Sequence, residues 1–287
     1  MEPKDVRRVG VVGAGVMGSG IVEVVACAGA EVVYVEAGAE LVRRGRERIE
    51  RSIGTAVDRG KLEEANAHAA LGRVRGESDL GALADSDLVI EAATELLEAK
   101  LDIFRRLGEV ARPEVILASN TSSIPIVDLG IASGRPDRVV GMHFFNPPPI
   151  MALLELTPSL ATSEETLAFV KTYGAEVLGK TCVVAKDEAG FIVNRLLIPY
   201  LNDAIRMLDG GVAARDDVDA AVQLGLAHPM GPLALCDLIG LDTIESIGDV
   251  LFSEFRDPRF APPPLLRRMV AAGRLGRKTG SGFYEYG

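Results

Sequence analysis

Three histidines occur in the chain of 287 residues, and their settings differ. His68 lies in Glu63-Glu64-Ala65-Asn66-Ala67-His68-Ala69, the texture of an exposed helix, and His228 precedes Pro229 in a loop. His143 sits near the end of an apolar run, 139–145, which is followed by Asn146 and Pro147. A polar ring at a strand end in an open α/β sheet stands where such sheets hold ligands. The plainer alternative is a buried imidazole satisfied by a neighbour. Glu155 falls in the next apolar run, 151–156, where a carboxylate needs a partner unless it lies at an exposed strand edge. A hairpin through Pro147, Pro148 and Pro149 would return Glu155 to the side of His143, although prolines also interrupt ladders. A carboxylate on one imidazole nitrogen sets the tautomer and stabilises the charged form. The other nitrogen is then a competent base.

A second constellation lies at the start. The strand-like run 9–12 enters Gly13-Ala14-Gly15-Val16-Met17-Gly18, and an apolar helix follows. In that setting each glycine has a task. Gly13 permits a tight turn, Gly15 lets backbone approach a pyrophosphate, and Gly18 lets helix pack on strand. The helix N-terminus, opened by Val16 and Met17, offers free N–H groups to phosphate. Glu36 ends the second run, 32–35, and lies 18 residues beyond Gly18, close to the spacing of a ribose-binding carboxylate. Such an acid accepts from a 2′-hydroxyl and repels a 2′-phosphate, so the expected cofactor is NAD rather than NADP. The alternative is a glycine turn in a domain that has lost its ligand. Ser119-Asn120-Thr121-Ser122-Ser123 follows a further apolar run, 115–118, and can orient a hydroxyl and a carbonyl or cap a helix. Asn194, inside an apolar helical stretch, needs partners from structure or substrate.

The elements that must hold these residues are legible from periodicity. Apolar bursts at 9–12, 32–35, 88–92, 115–118, 139–145, 153–156 and 182–185 are near-continuous, as in strands buried on both faces. Helix-like stretches lie between them at 16–28, 39–60, 96–110 and 163–179, the last begun by Thr162 or Ser163 and stopped by Gly179. Alternation of this kind implies an α/β fold with a mostly parallel sheet. Arginines punctuate 39–60, as a solvated face paired with Glu47 and Glu50 or as a row facing a phosphorylated ligand. After Asp187 only helical patterns remain, at 190–208, 216–224, 241–252 and 264–272. The expected domains are therefore 1–186, dinucleotide-binding, and 187–287, all-α.

Composition excludes several classes. Hydrophobic residues at 48% and charged residues at 25% are those of a globular chain, not a disordered one. A net charge of −10 disfavours nucleic acid and anionic membrane as partners. The three cysteines, Cys27, Cys182 and Cys236, form neither a zinc motif nor a disulfide framework, so no metal is expected and a reducing compartment is. No uncharged run reads as a membrane span, and the first strand begins too early to leave room for a leader. The expected location is the cytoplasm.

In this order along the chain, VGVVGAGVMGSGI (9–21), SNTSS (119–123), GMHFFNP (141–147), GFIVNRLL (190–197), HPMGPLALCDLIGLD (228–242) and GRKTGSGFYEY (276–286) make the sequence resemble the L-3-hydroxyacyl-CoA dehydrogenase family, most of all its bacterial 3-hydroxybutyryl-CoA branch. The resemblance covers nearly the whole chain. It implies an N-terminal Rossmann-type NAD domain, a C-terminal helical domain that dimerises, and NAD-dependent oxidation of an acyl-CoA substrate. His143 matches the family's base and Glu155 the acid that orients it. Ser122 and Asn194 match residues that hold the substrate's reacting end. Asn120 belongs to the SNTSS motif, and Asn146 matches a residue near the nicotinamide. Glu95 and Lys100 match cofactor-side positions, and Arg59 falls near a basic residue directed at CoA. Two positions depart from the pattern: Glu36 stands for the usual aspartate, and Ala152 stands where relatives often carry lysine. Three other readings stay open. One is a dehydrogenase of a non-CoA hydroxy acid on this fold. Another is a β-hydroxyacid dehydrogenase with a lysine base, for which 190–208 offers no lysine. The third is a non-catalytic NAD-binding structural protein.

Overall fold

A computed structural model describes residues 1–287. It divides into two compact units, Met1–Glu188 and Ala189–Gly287. The division falls two residues beyond the expected boundary because Asp187 is tied into the first unit. Its carboxylate accepts the backbone N–H groups of Ile126 and Val127 at 2.8 and 3.0 Å.

The first unit runs β1 (Arg8–Val12), α1 (Val16–Cys27), β2 (Glu31–Val35), α2 (Ala39–Asp58), α3 (Glu64–Gly72), β3 (Val74–Glu77), β4 (Leu88–Glu91), α4 (Leu97–Val110), β5 (Ile116–Ser119), α5 (Ile126–Ser133), β6 (Val139–Phe144), β7 (Leu153–Pro158), α6 (Glu164–Thr172) and β8 (Thr181–Val184). The strands form one sheet in the order β3-β2-β1-β4-β5-β6-β7-β8. Pairing is parallel from β3 through β6. β7 runs antiparallel to β6, and β8 is parallel to β7. The order of the first six strands is that of a Rossmann-type sheet, whose switch point lies between β1 and β4.

The apolar runs are continuous because successive side chains feed two cores. Val9 and Val11 of β1 pack in one layer with Ile21, Val22 and Val25 of α1 and Ile49 and Ile53 of α2. Val12, Val33, Val89 and Leu117 face the other layer, with Phe104 and Leu107 of α4 and Leu129 of α5. β3, of sequence Val-Arg-Gly-Glu, lies at the sheet edge and has one buried side chain, so no hydrophobic burst marked it. α5 follows the SNTSS run, yet no side chain of that run caps it. Asp187, distant in sequence, does so. Ser163 caps α6 as expected, its Oγ accepting from Thr166 N–H at 3.1 Å. The helical pattern beyond Thr172 becomes a π-helical turn, Tyr173–Val177. On α2 the arginines pair along the exposed face, Arg44 with Glu40 at 2.9 Å and Arg46 with Glu50 at 2.6 Å.

The second unit comprises α7 (Val193–Asp209), α8 (Arg215–Gly225), α9 (Pro232–Ile239), α10 (Leu241–Phe255) and α11 (Pro264–Ala271). Ile198, Leu201, Leu233, Ile244, Leu251 and Leu266 fill its core. Two buried aspartates organise it. Asp219 accepts from Leu233 and Ala234 N–H at the start of α9, at 2.8 and 2.9 Å. Asp237 accepts from Phe283 and Tyr284 N–H at 2.9 and 2.8 Å, strapping the C-terminal segment onto α9. α9 is not among the helices expected from periodicity; it begins just after the loop of His228 and Pro229, and Pro232 occupies its first turn, where its missing N–H is harmless. No helix is long and apolar enough to cross a membrane.

Glu23 of α1 is buried, and its Oε2 has no hydrogen-bond partner. Burial raises its pKa from 4.5 against the opposing effect of a hydrogen bond with Ser52. A carboxyl whose folded pKa is raised binds its proton more tightly in the native state. It therefore opposes folding increasingly as pH rises from about 4.5 through the folded value. Glu23→Gln is expected to raise the melting temperature by about 2–4 °C at neutral pH and by less at pH 4. Thermal melts across pH check this; a gain that does not grow with pH contradicts it.

Candidate active site

The carboxyl ends of β1, β2, β4, β5 and β6 bring most of the expected residues to one edge of the sheet. At the end of β1, Gly13 has φ +91, a conformation that other L-residues rarely adopt. A Cβ on Gly18 would lie 1.9 Å from the carbonyl oxygen of Gly13, so close packing of α1 requires that glycine. A Cβ on Gly15 would meet no protein atom within 4 Å. Nothing in the fold itself excludes a side chain there, which fits a requirement set by a ligand's phosphates. α1 starts without a side-chain cap, so the donors of Val16, Met17 and Gly18 have no capping acceptor. These features fit a dinucleotide. Glu36 stands at the end of β2, and its Oε1 accepts from Ala14 N–H at 2.6 Å. One oxygen of the expected ribose carboxylate thus braces the glycine turn. Arg48 of α2 donates to Ala14 O at 3.3 Å from the other side.

His143 and Glu155 are directly opposed across the antiparallel β6–β7 pair. His143 Nδ1 lies 2.8 Å from Glu155 Oε2. Glu155 is fully buried, and His143 is 7% exposed. The chain between them, 145–152, packs on the cofactor side: a Cβ on Gly20 of α1 would lie 2.6 Å from Pro148 Cδ. Lys180, just before β8, pins that turn from beneath, with Nζ donating to Pro148 O at 2.6 Å and Met151 O at 2.9 Å. Burial pulls the Lys180 pKa down. Asn146, in the turn, is exposed.

The SNTSS segment forms a third part. Asn120 Oδ1 accepts from Phe144 N–H at 2.8 Å, locking the end of β6 beside β5. Glu95 Oε1 accepts from Thr121 Oγ1 at 2.6 Å and from Ser122 N–H at 2.9 Å. Burial pushes the Glu95 pKa up, but the nearby Lys100 charge and these hydrogen bonds outweigh it and hold the carboxyl below the ordinary value. Lys100 is only 1% exposed, and its Nζ lies between both oxygens of buried Glu91, at 2.6 and 2.7 Å. Lys100 therefore faces the protein interior.

Two expected residues are not among the side chains of this cluster. Arg59 is exposed at the C-terminal end of α2. Asn194 belongs to the second unit, buried in the first turn of α7. His68 is exposed on α3, and His228, also exposed, lies 3.3 Å from Tyr200 Oη. Sequence reading missed Glu91, Ser119 as its donor, and Lys180. The signal for Glu91 was present: a carboxylate inside the run 88–92 needs a partner for the same reason as Glu155.

A sheet of this order with a glycine turn at its first crossover and a His/Glu pair at the same edge defines a dinucleotide-dependent oxidoreductase. Residues 8–188 match the model of the 3-hydroxyacyl-CoA dehydrogenase NAD binding domain, and residues 190–286 that of the 3-hydroxyacyl-CoA dehydrogenase C-terminal domain. A 3-hydroxybutyryl-CoA dehydrogenase of Mycobacterium tuberculosis is 51% identical over 282 residues, 98% of this chain and 99% of the relative. The crystal structure of M. tuberculosis FadB2 superposes with a TM-score of 0.97 at 51% identity, covering 98% of this chain and 99% of that one. The (S)-3-hydroxybutyryl-CoA dehydrogenase PaaH1 of Ralstonia eutropha gives 0.93 at 44% identity, covering 99% and 100%. The chain belongs to the 3-hydroxyacyl-CoA dehydrogenase family, NAD-dependent oxidoreductases.

The glycines separate folding from binding. Gly18→Ala is expected to cost about 1–3 kcal/mol of stability through overpacking. Gly15→Ala is expected to melt like the parent protein while binding NADH at least about tenfold more weakly, because a methyl group intrudes on the pyrophosphate approach. Thermal melts with fluorescence titration of NADH check both. A Gly15→Ala protein of undiminished affinity contradicts the assignment.

Proposed function

We propose that this chain catalyses reversible oxidation of a short-chain (3S)-3-hydroxyacyl-CoA, 3-hydroxybutyryl-CoA foremost, to the 3-ketoacyl-CoA. NAD⁺, held at the glycine turn and Glu36, supplies the hydride acceptor. The observation that carries the reading is the buried His143–Glu155 pair at 2.8 Å. With Nδ1 engaged by Glu155, the remaining nitrogen of His143, Nε2, takes the proton from the C3 hydroxyl. The C3–H bond breaks with its electron pair leaving as hydride, and the C3–O bond becomes a carbonyl. In the reverse direction His143 returns the proton to the carbonyl oxygen. Glu155 stabilises the imidazolium formed in between and keeps the ring in one orientation. Ser122 and Asn194 hold the substrate oxygens so that the hydroxyl stays within reach of the ring. Glu95, Asn120 and Asn146 serve the nicotinamide side, with Lys100 acting through Glu95. Arg59 is the proposed contact to CoA phosphate. The roles of Asn194 and Arg59 rest on their motif positions alone.

We further propose a homodimer formed through the second unit, in the cytoplasm. Support for pairing comes from its exposed apolar side chains, Leu196, Leu224 and Leu226 among them, and sedimentation at micromolar concentration measures it.

The test is NADH consumption with acetoacetyl-CoA, free acetoacetate and NADPH as comparisons. Acetoacetyl-CoA with NADH is expected to be the preferred pair. His143→Gln is expected to lower turnover by about 10²–10⁴-fold while NADH binding is kept. Preference for free acetoacetate would refute the CoA ester, and near-parental turnover of His143→Gln would refute the base.

A further inference from the structure

We propose that Glu91, which lies beneath the site and touches no ligand position, is a positioning residue that sets where Glu95 and the Ser122 segment meet the cofactor. The proposal rests on the reading above that Glu95 and Ser122 serve the nicotinamide side.

Glu91 ends β4 and is fully buried. Both of its oxygens are engaged. Oε1 accepts from Lys100 Nζ at 2.6 Å and Ala93 N–H at 2.7 Å, and Oε2 accepts from Lys100 Nζ at 2.7 Å and Ser119 Oγ at 2.6 Å. Lys100 Nζ lies 3.5 Å from Glu95 Oε2. The other oxygen of Glu95 holds Thr121 Oγ1 and Ser122 N–H. Three links thus run outward, from an interior carboxylate through a buried ammonium to a part-exposed carboxylate and then to a hydroxyl-bearing segment. Glu91 alone grips three of the surrounding pieces: the end of β5 through Ser119, the 92–96 connection through Ala93, and α4 through Lys100.

The energetics argue against a purely stabilising role. Removing two charges from water costs more than an apolar pair of similar size, and buried pairs are often replaceable without loss of stability. What an apolar pair cannot do is fix the direction of Glu95. A Met at 100 carries no charge to attract that carboxylate, which would then swing toward solvent and release Ser122. Lys100 is also the nearest cation to Glu95, so Glu91 decides whether Lys100 stays in place.

Glu91→Gln, Glu91→Gln/Lys100→Met and Glu95→Gln proteins separate the possibilities, read by thermal melts and by fluorescence titration of NADH. Glu91→Gln strands a buried ammonium and is expected to melt lower than the parent. The double variant removes both charges and is expected to recover melting temperature relative to Glu91→Gln. NADH dissociation constants are expected to rise roughly 10–100-fold in both, as in Glu95→Gln. A merely structural pair would recover affinity along with stability. If the double variant binds NADH as tightly as the parent while Glu95→Gln does not, the role of Glu91 is refuted and the site reading stands. If Glu95→Gln itself binds NADH normally, the site reading fails and takes this inference with it.

Discussion

The register of β7 against β6 is the constraint on which the site depends. Within an antiparallel pair side chains alternate faces, so residue 155 can meet residue 143 only if the 145–152 turn has its particular length and course. A slip by one residue would turn Glu155 to the opposite face and put an apolar neighbour beside the imidazole. The ring would then lose the partner that sets its tautomer. Several features hold the register. Lys180 grips the turn by two carbonyls, Gly20 admits Pro148 against α1, and Asn120 bonds to Phe144 N–H at the strand end. β7 runs opposite to its β6 neighbour, and this reversal lets Glu155, from a later segment, stand beside His143 near the carboxyl edge of the sheet.

Around that pair the first unit matches most of its buried charge, Glu23 on α1 being the exception with one unpartnered oxygen. Buried Glu155 is matched by His143 and buried Glu91 by Lys100, while half-buried Asp187 is held by two backbone N–H groups. Glu91 ends β4, His143 lies next to the last residue of β6, and Asp187 stands in the connection after β8, where backbone hydrogen bonds no longer specify a path. Hydrophobic burial determines that the strands and helices layer together. The polar links determine how their ends sit, which is what a reaction at the sheet edge requires.

Much of this was legible in the sequence. The uninterrupted valine-rich runs announced a sheet covered on both faces, because β1, β2, β4 and β5 feed two cores at once. The glycine turn was legible because each glycine has a distinct steric reason. His143 and Glu155 stood out as polar residues inside apolar runs, although the prolines left their pairing open. β3 was hidden, since an edge strand of Val-Arg-Gly-Glu has almost no apolar signature. α9, with Pro232 in its first turn, was not among the helices expected from periodicity, and Asp187's hold on α5 was hidden by a separation of 61 residues. Lys100 was singled out by motif position as cofactor-side; the packing adds that its ammonium is gripped by an acid nine residues away while lying 3.5 Å from Glu95 Oε2. Only the packing reveals which way a long side chain points.

The most direct test of the central pair is the pH dependence of both directions of turnover, measured where the chemical step limits the rate. An imidazole must be without its extra proton to accept one from the hydroxyl and must carry it to protonate the carbonyl. The account therefore predicts oxidation that rises with pH and reduction that falls, with both dependences abolished in His143→Gln. Profiles that stay level in the parent protein, or that survive the loss of His143 unchanged, would contradict it.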